Sequence, residues 1–376
     1  MEEAGGIYVH VPFCRARCAY CDFAVTVGRD DLAGEWLDGV LRELAARREE
    51  AGGPVTTVHL GGGTPSRLSS RLVGALLEGF DRLVGIAKGA EIALEANPED
   101  VTRDRLEGWR AAGVTRLVVG VQSTSERGIR ALGRRAPADE GPRALRLARA
   151  AGFGSLGADL VIGWPGQEDR ELDADLDVVL GEGVSHVSCY MLEVDGDAPL
   201  ARRIRRGTRP APDPDRAADL YWRAADRLEA AGLPAYEISN FARPGHESRH
   251  NLRYWTDAPY LGLGPAAASY VAGRRWTNPR DLDAWLSVVR GAGSPVPREP
   301  YDGDRRAGEA LVLGLRRIAG VDLDRVAARH GSNPVERRRP VLDRAAREGL
   351  VAFCGATVRL TRRGRLLADE VFVDLL

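Results

Sequence analysis

The sequence predicts an α/β protein: a partial (β/α)6 barrel of TIM type followed by a mostly helical, winged-helix-like C-terminal domain. Three observations predict it. Over the first two-thirds, short β-branched runs alternate with longer amphipathic ones, the pattern of βαβ units and a parallel sheet. Nearly every one of these runs ends in residues too unusual for turn chemistry alone, and special residues at the C-terminal ends of parallel strands mark the active face of a barrel. Near the C-terminus, helical segments give way to a short hairpin around Gly355. Six units are too few to close an eightfold barrel, so the sheet is expected to stay open. A flat doubly wound sheet is the alternative.

Taken in order, the predicted strands are Ile7–Val11, Thr57–Leu60, Glu91–Glu95, Arg116–Gly120, Ala158–Gly163 and His186–Leu192. Helical periodicity falls between them, over Asp31–Arg48, Leu68–Leu83, Arg103–Ala112 and Arg170–Leu180. The strand ends carry a cysteine loop, Gly61-Gly62-Gly63-Thr64-Pro65, Glu95-Ala96-Asn97-Pro98, Gln122-Ser123 and Gly163-Trp164-Pro165-Gly166. Ala201–Arg216, rich in proline and arginine, reads as a linker or mobile loop, and a helix over Asp215–Ala231 follows. Three prolines in Ser294–Pro300 mark a second boundary. Three domains result: 1–230, the barrel; 231–300, a segment dense in aromatics and histidines; and 301–376, three helices with the hairpin Leu350–Phe353 and Thr357–Leu360.

The 376 residues carry 53 basic and 54 acidic side chains, a formal net charge of -1. A globally basic nucleic-acid binder is thereby disfavoured. Lys88 is the only lysine, an imbalance that codon bias accounts for. No run approaches the eighteen or more apolar residues of a membrane span, and the N-terminus has acids where a secretory signal has bases. A cytoplasmic protein is expected.

Cys14, Cys18 and Cys21 form CxxxCxxC, while Cys189 and Cys354 stand alone and read as core residues. Three thiolates this close can hold three irons of a [4Fe–4S] cluster. A structural zinc site needs four ligands, and the nearest candidates for a fourth are Asp22 and His10. With three cysteines, one iron stays open to a small molecule.

CxxxCxxC with Tyr20 before the last cysteine resembles the radical S-adenosylmethionine (SAM) superfamily. In that superfamily the open iron chelates SAM, and a partial barrel is the fold. YVHVPFCRARCAYCDF, LGGGTPSRL, EANPE, GVQS, ADLVIGWPGQ and YEISNFARPGHESRHNLRYW carry the resemblance over nearly the whole chain. They are similar to the coproporphyrinogen dehydrogenase-like group, which holds the oxygen-independent coproporphyrinogen III oxidases and the HemW heme chaperones. The oxidases have a fourth cysteine two residues after the third; here that position is Phe23. Phe23 and the HNxxY run His250-Asn251-Leu252-Arg253-Tyr254 match the chaperone branch.

The resemblance implies cluster ligation by Cys14, Cys18 and Cys21. It implies SAM contacts from Tyr8, Tyr20, Gly62, Gly63, Thr64, Glu95, Gln122, Arg134 and Asp159, and a heme ligand in His250. It also implies partners: heme, a heme-accepting membrane-bound respiratory protein met peripherally at the membrane, and an electron donor for the cluster. Coproporphyrinogen oxidation is the rival activity; radical chemistry on nucleic acid is the third and weakest. Ala136, Ala266 and Ala268 depart from the family pattern, standing for a histidine, a glycine and a histidine.

Overall fold

The computed structural model describes residues 5–376 apart from Asp195, Asp197 and Pro295. The acidic start, Glu2 and Glu3, and one proline of the Ser294–Pro300 boundary lie outside the described residues. All six predicted strands form and lie side by side in chain order, all parallel: Gly6–Val11, Val55–Gly62, Ile86–Ala96, Arg116–Gln122, Ser155–Ile162 and His186–Met191. They pair in register from Val9 opposite Leu60 to Asp159 opposite Ser188. Most are longer than the runs that announced them, because glycines, alanines and a few polar residues at their ends also belong to the strands.

Helices cover the outer face, each burying one stripe at three- and four-residue spacing. Trp36, Val40 and Leu44 do so in Ala33–Ala46, and Leu172, Leu176 and Val179 in Asp169–Gly181. Side-chain caps fix their starts: Ser69 accepts from Leu72 N and Thr102 from Arg105 N. In the stretch read as a linker, Pro199–Arg205 is helical. Proline fits the first turn of a helix and nothing breaks the run before Gly207, whose φ is +68°. Only residues 206–213 lack regular structure.

Residues 231–300 do not stand apart from the sheet; they finish both of its edges. Asn240–Ala242 pairs antiparallel with the last parallel strand. Tyr260–Leu263 adds a seventh parallel strand beside Gly6–Val11, and the hairpin Ala268–Val271/Arg274–Thr277 extends that edge. Four residues with a central glycine were too short to read as a parallel strand.

This extension hangs on one carboxylate. Glu43, buried in the first long helix, accepts from Gly264 N (3.0 Å), Asn278 Nδ2 (2.7 Å) and Trp285 Nε1 (3.0 Å), and pairs with Arg47 at 3.2 Å. Glu43→Ala would strand three donors and the Arg47 charge, so a loss of about 3–5 kcal/mol is expected. A denaturant midpoint within error of the parent protein's would refute this.

The C-terminal part has its own apolar core around Leu311, Leu315, Leu342, Val358 and Leu375. Helices Gly303–Leu315, Leu323–His330 and Ser332–Arg347 precede the hairpin Val351–Cys354/Thr357–Leu360, which turns at Gly355 (φ +61°). A short strand, Val321–Asp322, pairs with the second arm, completing the winged-helix arrangement. Two further helices, Arg362–Leu366 and Ala368–Leu375, close the chain. No helix among the described residues is long and apolar enough to cross a membrane.

Candidate functional site

The C-terminal ends of the parallel strands surround a cavity of about 400 Å³. Its wall gathers Cys14, Cys18, Cys21 and Tyr20 from the cysteine loop, Gly62 from the end of the second strand with Gly63 and Thr64 from the turn after it, and Glu95, Gln122 and Asp159 from the next three strands. Arg134 comes from the turn after the Glu126–Ala131 helix. Of the residues that the resemblance implies for cluster, SAM and heme, Tyr8 and His250 lie elsewhere.

All three cysteines are free thiols; Cys14 is buried and the other two half-buried. Burial pushes the Cys14 thiol up to about 11, with a counteracting hydrogen bond from Thr64, whose Oγ1 is 3.2 Å from the sulfur. The thiolate form therefore needs a cation beside it, as metal ligation supplies. Among the described residues no three His, Cys, Asp or Glu side chains converge on a point that would hold a single metal ion. Cys14, Cys18 and Cys21 nevertheless all line the same cavity.

The glycines answer to space. Gly62 has φ +100°, and a Cβ there would lie 2.4 Å from the His10 ring. A Cβ on Gly63 would meet the Val11 carbonyl at 2.6 Å. Only glycine lets this turn pack so closely on His10 and Val11 while it lines the cavity. Gln122 gains its place through strain: its φ is +65°, at a break in register between Val119 and Gln122. Such an irregularity re-aims a side chain at a strand end. Arg134 is held by Asn97 Oδ1 (3.1 Å) and the Gly120 carbonyl (3.2 Å), with Nη1 3.6 Å from Cys18 Sγ.

Two carboxylates face the cavity differently. Glu95 is bonded to His59 Nε2 at 2.8 Å. Asp159 has one carboxylate oxygen buried without a partner. Burial, reinforced by repulsion from Glu95, pushes its carboxyl up to about 7.

Tyr8 is set three residues back from the strand end, so it misses this cavity. Its hydroxyl meets His10 Nδ1 at 3.1 Å and it lines a neighbouring cavity. His250 is fully buried. Its Nδ1 lies 2.9 Å from Thr57 Oγ1 and its Nε2 2.9 Å from Tyr254 OH, and its ring stacks on His59 at 5.4 Å. Burial, with His59 and Arg253 nearby, lowers its basicity and keeps it neutral. It lines neither cavity, so the ligand role implied for it has no open nitrogen here. Asn97, which joins Arg134 to Thr64, was missed as a site residue although its motif was noticed. Tyr190, also on the wall, left no signal beyond its place at a strand end.

Comparison with known proteins adds family context. The model of the radical SAM superfamily matches residues 8–179, and that of the HemN C-terminal domain matches residues 301–367. The heme chaperone HemW of Mycobacterium tuberculosis (strain H37Rv) is 39% identical, over 99% of this chain and 94% of its own length. That of Bacillus subtilis (strain 168) is 32% identical over 97% of both. In fold, the solved coproporphyrinogen III oxidase (HemN) from Escherichia coli superposes with a TM-score of 0.85 at 24% identity, covering 100% of this chain and 90% of that one.

Proposed function

Because the chain belongs to the HemW heme-chaperone family of the radical SAM superfamily, we propose that it binds heme and hands it to an acceptor protein. In this reading Cys14, Cys18 and Cys21 hold a [4Fe–4S] cluster whose fourth iron is left for SAM. The observation that carries it is the set of three free cysteines opening on one cavity with the strand-end residues, while exposed Phe23 takes the position of the oxidases' fourth cysteine.

When bound, cluster and SAM supply one-electron chemistry that the protein cannot. The chain's own part is to bind and orient. Backbone at Gly62 and Gly63 lets a ligand's polar end come close. Arg134 offers a charge beside Cys18, and the unpartnered Asp159 oxygen accepts from hydroxyl or ammonium donors. Tyr20 shields the cluster side. The acceptor in this proposal is a membrane-bound respiratory protein, met peripherally, and a separate electron donor serves the cluster.

Anaerobic reconstitution, heme titration and a decarboxylation assay on coproporphyrinogen III test the proposal together. Stoichiometric heme binding without release of CO₂ is expected. Multiple turnovers with loss of CO₂ would instead make the chain an oxidase.

A further inference from the structure

Resting on the heme reading, we infer that the tetrapyrrole sits in a second cavity, of about 440 Å³, and not at His250. This cavity opens beside the cluster site, between the barrel interior and the first helix of the C-terminal domain. Phe23, 62% exposed, lines both cavities and forms their common wall.

A seat for a planar macrocycle with two carboxylates needs flat apolar walls, a polar anchor and cationic charge at the mouth. Tyr8, Tyr254, Tyr260 and Trp255 supply the walls. Tyr254 and Tyr260 meet edge to face at 4.6 Å, which holds both rings in place. Trp255 carries a buried indole N–H with no acceptor, a donor the fold leaves unused. Arg280 is the cation: among the described residues it has no carboxylate partner and donates only to the Asp22 carbonyl at 2.7 Å. Arg275 is already engaged, with Glu309 at 2.7 Å and over the Tyr270 ring at 4.5 Å. The volume falls in the usual range of roughly 300–1,000 Å³ for small-ligand sites.

Sequence departures point to the same place. Ala266 and Ala268 both line this cavity. Ala268 is exposed to it, where the family pattern has a histidine that would occupy part of the space. His250 then acts as a positioning residue: its ring nitrogen fixes the Tyr254 hydroxyl, and Tyr254 is a wall.

The test is a heme titration, followed by absorbance, on the reconstituted full chain and two variants. Ala268→Trp places a side chain in the seat from an exposed strand position, and a weakening of at least about tenfold is expected. Arg280→Glu reverses the charge at the mouth, where an exposed site limits the expected weakening to about threefold. Cluster content and circular dichroism equal to the parent's show that each variant is folded. Parent-like affinity in folded Ala268→Trp would overturn this seat and leave the chaperone reading standing. A parent chain that binds no heme would overturn both.

Discussion

Cys18→Ala will leave the protein folded and without its [4Fe–4S] cluster. The thiol is half-buried and contributes little packing, so secondary structure and thermal midpoint of the cluster-free chain should match the parent's. What goes is one of three sulfurs that open on the cavity, and with it the 3.6 Å contact to Arg134 Nη1. A cubic cluster held by three protein thiolates loses a third of its anchorage with each. Iron and sulfide content after anaerobic reconstitution, with the visible absorbance, measures the outcome; a full complement of both would remove Cys18 from the ligand set. Cys189→Ala is the matched control. Its thiol is buried in the apolar core away from the cavity, so the cluster should assemble normally while stability drops by about 1–2 kcal/mol.

Asp159→Asn should stabilise the ligand-free protein at neutral pH and weaken SAM binding at the same time. Burial first, and repulsion from Glu95 second, push the Asp159 carboxyl up to about 7 from its ordinary 3.8. Between those values the native state keeps a proton that the unfolded chain has released. Stability therefore falls as pH rises from about 4 to about 7, and stays low above that. The cost is of order 2–4 kcal/mol. Asparagine carries no charge to bury, so the gain over the parent should be large at pH 8 and small at pH 5. An equal gain at both would show that the carboxylate is not the cause. SAM affinity should fall by at least about tenfold, since the lone buried oxygen is the acceptor a ligand would satisfy.

Much of this was legible in the sequence, and the reason is physical. A parallel strand buried on both faces leaves an unbroken apolar run rich in β-branched residues, and Leu117–Val119 or Leu160–Ile162 could hardly read otherwise. The cysteines were legible because metal chemistry fixes both residue type and local spacing. Long-range geometry was not. Nothing in Tyr8 itself tells that its side chain falls one layer below the cavity, since strand alternation gives a face and not a depth. His250 is a related case: its ligand role came from the family resemblance, and only the fold shows Thr57 and Tyr254 bonded to both of its nitrogens. The Tyr260–Leu263 strand was hidden by its brevity, with a glycine in the middle.

That late strand has a consequence for the birth of the molecule. Gly6 pairs with Tyr260 in the finished sheet, so the Gly6–Val11 strand keeps one bare edge until some 250 residues more have been made. Contacts this distant in sequence form slowly, and an unpaired edge invites the wrong neighbour meanwhile. The same late segment also brings Tyr254 and Arg280. A truncated or stalled chain would then carry the cysteine loop complete, with neither the guarded edge nor the aromatic walls, and synthesis itself would decide that nothing is received before the sheet is sealed.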